Sequence, residues 1–409
     1  MKTLRDYIPL FAVLVLGCLF MLYRWHKVQV YYGAIVIAAT DELKEGDLLT
    51  AKHYLSYLES SPGAEAHAAE LSATISEFEQ SSKEMKERIA PYVNEGDHES
   101  ALSILSADTL LSESGRQAIR QYIYNDWGWI VVGANPSGSF DLYAIRPDGS
   151  EVWQLTSSVM EEMNHDISPD GRLAAYARIL SEQQPDRVIE VLDLETGTAR
   201  LMPVKGVTLL DPAFSPDGTL LAFISGVASY SYLNTFDLKK GIEDRITRGP
   251  AVNQPAWLPD GESLVFEGIP ADVPMPRIQI VQVNADGSSP RLLTSFERSG
   301  ARDPAVSPDG KRFAFRYDDR IFVSSFGENA QCVSDPEFFA LHPCFSPSSR
   351  YISYAASIDS VRRLVVQDLR TGKTRYFEPF GRAVQFPVWV RKLTIPPGAK
   401  MIGRLKLSQ

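Results

Sequence analysis

The sequence predicts a multidomain chain. An all-β six-bladed propeller spans residues 127–391, an acidic α-helical region 33–126 precedes it, and one N-terminal transmembrane helix lies within residues 1–32. Three observations predict this: one turn recurs along the chain, a second turn class interleaves with it, and the composition changes abruptly ahead of both.

The recurring turn is legible in FSPDGTLLAF, from Phe214, and nearly repeats in ISPDGRLAAY from Ile167 and VSPDGKRFAF from Val306. In Ser-Pro-Asp-Gly, proline pre-sets the first corner of a type I turn, serine accepts a local hydrogen bond and glycine relieves the exit. Apolar runs on both sides make each copy a β-hairpin. Its glycine recurs at Gly171, Gly218, Gly261 and Gly310, and a degenerate SPSS places Ser349 in the fifth copy. The second class ends at Gly149, Gly197, Gly241, Gly287, Gly327 and Gly372. Two hairpins per period mean four strands, and a spacing of roughly 40 to 50 residues is the length of one propeller blade.

Six second turns imply six blades, yet only five first turns exist. The first blade therefore lacks an innermost strand. Val384 to Val390, VQFPVWV, resembles the strand ahead of each turn (DPAF, QPAW, DPAV, HPCF) but has no turn after it. A C-terminal strand completing the first blade, with Trp389 beside Ile130, closes the ring and removes exposed sheet edges. Residues 392–409 are left as a tail.

The combination of D/Q-P-A-F/W, S-P-D-G, an aromatic-rich strand, a D/N-x-x-G turn and R-x-L-T resembles the TolB-type, WD-repeat-like β-propeller family, over about Trp127 to Val390. The resemblance implies the fold. Because similar repeats occur in periplasmic scaffold proteins, in prolyl-oligopeptidase-type enzymes and in polysaccharide lyases, it implies little about chemistry. The SPSS copy and the shortened RYDDRIFVSSFGENAQ depart from the pattern, which puts the regularity of those blades in question.

The N-terminus reads IPLFAVLVLGCLFMLY between Lys2 and Arg5 on one side and Arg24, His26 and Lys27 on the other, with Trp25 and tyrosines suited to a membrane interface. A cleaved signal peptide and a lipid-modified Cys18 compete with an uncleaved anchor. No small-x-small site follows the run, and the residues after Cys18 are apolar, so the anchor is preferred. Basic residues on both sides leave orientation to the resemblance, which implies a single-pass protein of the inner membrane with its body in the periplasm.

Residues 33–126 carry 17 acidic and 7 basic side chains, and Leu43, Leu49, Tyr54, Leu55 and Leu58 recur at helical spacing. EGDLLTAKHYL from Glu45 and EGDHESALSIL from Glu95 match one another. This resembles the inter-helix turn of tetratricopeptide repeats, in which glycine makes the corner and alanine admits a close second helix. An irregular helical stalk is the plainer alternative. The whole chain has a formal net charge of -10, which excludes nucleic acid as an expected partner.

No GxSxG elbow, Walker loop, HExxH or CxxC is present, so the chain is expected not to be an enzyme and to need no cofactor. Two histidines in the propeller, His165 and His342, are too few to build a metal centre alone. Cys332 and Cys344 fall on strands too far apart for a disulfide. Asn164, Asp211, Gln254, Asp303 and His342 sit at the innermost strands and ring one mouth of the channel. Either they bind an ion or small ligand, or they satisfy backbone groups of neighbouring blades. Tyr230, Tyr232 and Phe236 on a rim loop are candidate docking anchors, unless they fill the space between blades. The expected function is a membrane-anchored, non-catalytic scaffold or accessory subunit that docks other envelope proteins on helices and propeller. The alternative is a propeller enzyme or binding protein acting on carbohydrate or peptide in the central funnel.

Overall fold

The computed structural model describes residues 8–45, 48–108, 111, 113–136, 138–158, 160–181, 184–204, 208–227, 230–269 and 277–408. The chain divides into two compact units, Met1–Ile123 and Tyr124–Gln409.

The first unit is helical: Ile8–Glu45, Leu48–Glu59, Glu65–Asn94, His98–Ala107 and the start of Glu113–Trp127. The helix from Ile8 does not stop at residue 32. It continues because Tyr32, Val36, Ala39 and Leu43, spaced three and four apart, bury one stripe against Ala51, Leu58, Ala68, Leu71 and Ile75. The boundary that composition placed at residue 32 thus falls inside one helix. A second core joins Met85, Ile89 and Val93 to Ala101, Leu105, Leu111, Ile119 and Ile123. Ala51 and Ala101, the matched alanines of the two EGD segments, are both fully buried. Around the second, Gly96 adopts φ 71°, and Asp97 caps the following helix by accepting from the Ser100 N–H at 3.2 Å. The corresponding Gly46 and Asp47 lie outside the described residues. Among the described residues no helix is long and apolar enough to cross a membrane, and the first seven residues of the expected anchor are outside them.

The second unit is a six-bladed propeller of antiparallel sheets. From the axis outward, blade two runs Glu162–Ile167, Leu173–Ser181, Gln184–Asp193 and Thr198–Leu201. Blades three to five repeat this order, including the shortened fifth, which forms all of its strands. Blade one is completed from the far end of the chain: Val384–Val390 pairs with Trp129–Ala134, placing Trp389 opposite Ile130. Trp389 Nε1 also donates to the Trp127 carbonyl at 2.8 Å.

The repeated turn has two roles. Locally, Ser215 donates its hydroxyl to Asp217 at 2.6 Å and accepts the Leu220 N–H at 2.9 Å, and Ser168 and Ser307 do likewise with Asp170 and Asp309. Between blades, the turn's proline packs on the next turn's glycine: a Cβ on Gly218 would lie 3.6 Å from Pro169, and one on Gly310 3.8 Å from Pro259. One tetrapeptide therefore builds both the hairpin and the inner rim. Ser349 takes the glycine place with φ 59°, and its hydroxyl accepts the Asp309 N–H of the previous blade at 3.1 Å.

Apolar side chains of facing sheets fill the space between blades. Ile189 and Val191 meet Phe214, Phe223 and Phe236, and Ile224 and Leu233 meet Trp257, Leu264 and Val283. The tail after residue 391 is part of the propeller. Lys400–Gly403 becomes the fifth strand of blade one and Leu407–Ser408 the fifth of blade six. On the way, the Thr394 N–H donates to the Gly171 carbonyl at 2.8 Å and Leu405 to Gly149 at 3.0 Å. The tail thus ties blades two, one and six together.

Candidate functional site at the propeller centre

Every innermost strand is broken by a bulge, seen as a register shift against its neighbour. At each bulge one residue adopts a left-handed backbone: Asn164, Asp211, Gln254, Asp303, His342 and Phe386, with φ between 46° and 53°. Five of these are the ring residues predicted from sequence, and the structure brings them together around the channel. The sixth, Phe386, lies outside the predicted set because it is apolar where the other five are polar. The signal was present, since Phe386 stands before Pro387 as Asp211, Gln254, Asp303 and His342 stand before their prolines.

A left-handed non-glycine residue costs roughly 1–3 kcal/mol, so six need compensation. A relay between blades supplies it. Asp211 accepts the Gln254 N–H at 3.0 Å and also the Asn164 amide. Asp303 accepts the His342 N–H at 3.2 Å and the Arg316 guanidinium at 2.8 Å, while donating its own N–H to Glu267 at 2.7 Å. His342 Nδ1 accepts the Phe386 N–H at 3.4 Å, and the two rings stack 3.7 Å apart. The bulge frees a backbone N–H toward the next blade, and the short polar side chain of the preceding blade takes it.

Below this ring lies a cavity of about 530 Å³. Its second tier is His165 with Pro212, Pro255, Pro304, Pro343 and Pro387, and its third is Asp166 with Ala213, Ala256, Ala305, Cys344 and Val388. Blade two alone places ionisable groups in both tiers. His165 Nε2 lies 3.2 Å from the Val131 carbonyl, and burial holds the imidazole down to about 4, hence neutral. A carbonyl can only accept, so Nε2 bears the proton and Nδ1 is a lone pair; buried Nδ1 has no hydrogen-bond partner among the described residues. Asp166 accepts the Phe214 N–H at 2.7 Å, and burial pushes its carboxyl up to about 7. Burial likewise raises Asp211, and burial with neighbouring Asp303 raises Glu267 to about 8. His342 is held down to about 4 by burial, and the Cys344 thiol is pushed up to about 12. Among the described residues no three His, Cys, Asp or Glu side chains gather to hold a metal ion.

The docking anchors divide. Tyr230 is 40 % exposed and packs edge-on against Tyr232 at 5.8 Å, with the Arg245 guanidinium 4.1 Å above the Tyr232 ring. Phe236 is not available to a partner: it is 7 % exposed within the core shared by blades two and three. The strand enters the protein after the rim, so its alternate residues pass from solvent into the space between blades.

Residues 129–326 match the family described as the TolB beta propeller domain. An uncharacterised protein of Agrobacterium fabrum is 31% identical over 39% of this chain and 52% of its own length. A TolB homolog of Chlorobium luteolum is 28% identical over 52% of this chain and 46% of its own, and YuxL of Bacillus subtilis, named as an uncharacterised peptidase, is 28% identical over 39% and 30%. The chain thus spans about half or less of the length of these relatives. Among solved structures, TolB from Acinetobacter baumannii is similar with a TM-score of 0.57 and 21% identity, covering 71% of this chain and 74% of that one. With the bladed sheets, the Pro-Asp-Gly rim and these matches in agreement, the propeller of this chain belongs to the TolB-type β-propeller family.

Proposed function

We propose that this protein is a membrane-anchored, non-catalytic scaffold or accessory subunit of a cell-envelope complex, with its body in the periplasm and partner proteins docking on the helical unit and the propeller. The observation that supports it most is the relay at the centre. Asp211, Asp303 and His342 take N–H groups of the next blade, so these three side chains are engaged in holding the ring. Exposed aromatic surface lies instead at the rim, at Tyr230. The anchor rests on the apolar run from Ile8 and on a helix that continues to Glu45 while Met21, Leu22 and Trp25 stay exposed.

The test is affinity capture from detergent-solubilised membranes, with alkaline phosphatase fused after Gln409. A stoichiometric membrane complex and an active fusion are expected. An isolated monomer, or an inactive fusion, overturns the docking role or the orientation respectively.

The second reading, an enzyme or binding protein using the funnel for carbohydrate or peptide, draws on Asp166, a buried carboxyl facing the cavity with its pKa near 7. General acid–base work favours such a value. Turnover of an oligosaccharide or peptide that disappears in Asp166→Asn would favour it over the scaffold.

A further inference from the structure

We propose that the outermost strand of blade one, Lys400–Gly403, is a docking edge for an extended acidic segment of a partner protein, which adds to that sheet as a further strand.

The tail itself shows that the outer edges of the blades accept strands. Lys400–Gly403 pairs antiparallel with Val152–Gln154, Met401 opposite Trp153, and Leu407–Ser408 pairs with Thr374–Phe377. Each addition moves the open edge outward by one strand. Among the described residues no strand pairs with the far side of Lys400–Gly403, which ends its sheet. Such an edge offers a row of backbone N–H and C=O groups to an extended chain. It also carries apolar surface, with Met401 55 % and Ile402 45 % exposed. Other outer edges offer less. Arg291–Leu292, Gln331–Cys332 and Leu407–Ser408 are two residues long, Glu243–Gly249 opens with two acids, and Thr198–Leu201 exposes one large apolar side chain, Leu201.

Charge names the occupant. Residues 391–409 hold Arg391, Lys392, Lys400, Arg404 and Lys406 and no acid, in a chain whose net charge is -10. Lys400, Arg404 and Lys406 are exposed and, among the described residues, hold no carboxylate. The acids of the adjoining turn are engaged. Asp148 accepts the Tyr124 and Ser150 hydroxyls, while Glu151 accepts Trp153 Nε1 at 3.4 Å and lies 4.0 Å from the Arg146 guanidinium. A second copy does not fit, since two such strands would set cation against cation. Nor does the chain's own acidic stretch, whose described elements are helices that spend their backbone groups internally. An extended partner that alternates acids with apolar residues meets both features. Its backbone pairs along the edge, its carboxylates meet Lys400 and Arg404, and its apolar side chains cover Met401 and Ile402. The inference rests on the docking reading above and names one surface for it.

The test is fluorescence anisotropy of labelled octapeptides against the full-length protein. One peptide alternates glutamate and valine. A second is the same peptide N-methylated at three consecutive central residues, which keeps every charge and removes N–H groups from both edges of the strand. A third carries lysine for glutamate. Saturable binding is expected for the first, at least about tenfold tighter than for the second, one hydrogen bond's worth, with none for the third. Lys400→Glu combined with Arg404→Glu is expected to exchange the preference, losing the glutamate peptide and gaining the lysine one. A misfolded tail cannot gain a ligand, so the exchange separates charge from collapse. Equal affinity for the N-methylated peptide makes the strap a plain cationic surface, such as anionic lipid would use, and overturns the proposal. No saturable binding of the glutamate peptide, or unchanged binding by the double variant, overturns it too. None of these failures alters capture of a membrane complex, so loss of this edge is distinguishable from loss of the scaffold reading.

Discussion

Trp389→Ala tests the closure of the ring. The side chain is 6 % exposed, stacks on Tyr351 at 6.1 Å and donates to the Trp127 carbonyl at 2.8 Å. Truncating a buried tryptophan costs about 3–5 kcal/mol. Trp257 is a matched control, 8 % exposed at the equivalent place in blade four, with its Nε1 donating to the Ala213 carbonyl at 3.1 Å. The two differ in how far the chain must travel. The Trp389 bond spans 262 residues and the Trp257 bond 44. With a closure entropy of (3/2)RT ln n, these amount to roughly 5 and roughly 3 kcal/mol. The closing strand should therefore dock last, after the transition state. Trp389→Ala is expected to lose its stability mainly through faster unfolding, about a hundredfold or more, with the folding rate nearly unchanged. Trp257→Ala should divide its loss between both rates. Urea chevrons followed by far-ultraviolet circular dichroism measure this. If Trp389→Ala slows folding as much as Trp257→Ala does, late closure is wrong.

Three further outcomes follow from the same geometry. Gly171→Ala would place a Cβ 2.2 Å from the Lys392 carbonyl, whereas at Gly218 the nearest atom is a proline Cδ at 3.6 Å, with φ 75° and 70° respectively. The backbone penalty is shared, so faster proteolysis of the tail after Arg391 in Gly171→Ala alone is the expected signature, and equal cleavage rejects the strap. Glu267 has its folded pKa raised to about 8. An acid so raised stabilises below its unfolded pKa near 4.3 and loses that contribution as pH rises to the folded value, at up to about 1.4 kcal/mol per unit. The neutral His165 and His342, held down to about 4, act oppositely, but only up to their unfolded value near 6.5. Thermal stability is thus expected to fall between about pH 6.5 and 8, and Glu267→Gln to flatten that fall; an unchanged slope removes Glu267 as its source. Phe236→Ala should destabilise by about 3–5 kcal/mol, while Tyr230→Ala leaves the melting temperature in place and lowers partner capture. A stable Phe236→Ala would contradict its place in the core.

The ring shows how much of the site was legible. Asn164, Asp211, Gln254, Asp303 and His342 were found because they recur at one place in the repeat, each ahead of the same strand. Glu267 carried no such mark. It lies on a second strand, Ser263–Gly268, and joins the ring only by accepting the Asp303 N–H that the bulge frees. Asp166 was hidden for a related reason: its neighbours in the ring are alanines, a cysteine and a valine, and only the circle of blades makes them comparable.

By itself the sequence determined the hairpins, the number of blades and the strand that closes them. Those follow from turn chemistry and from a period, which are local and repeat along the chain. Only the tertiary structure decided that the helix from Ile8 runs on past residue 32, that Phe236 is buried, and that the tail adds strands to blades one and six. Each depends on which surfaces meet between elements tens to hundreds of residues apart. The burial that shifts Asp166, Glu267 and His165 likewise exists only once the blades surround the axis.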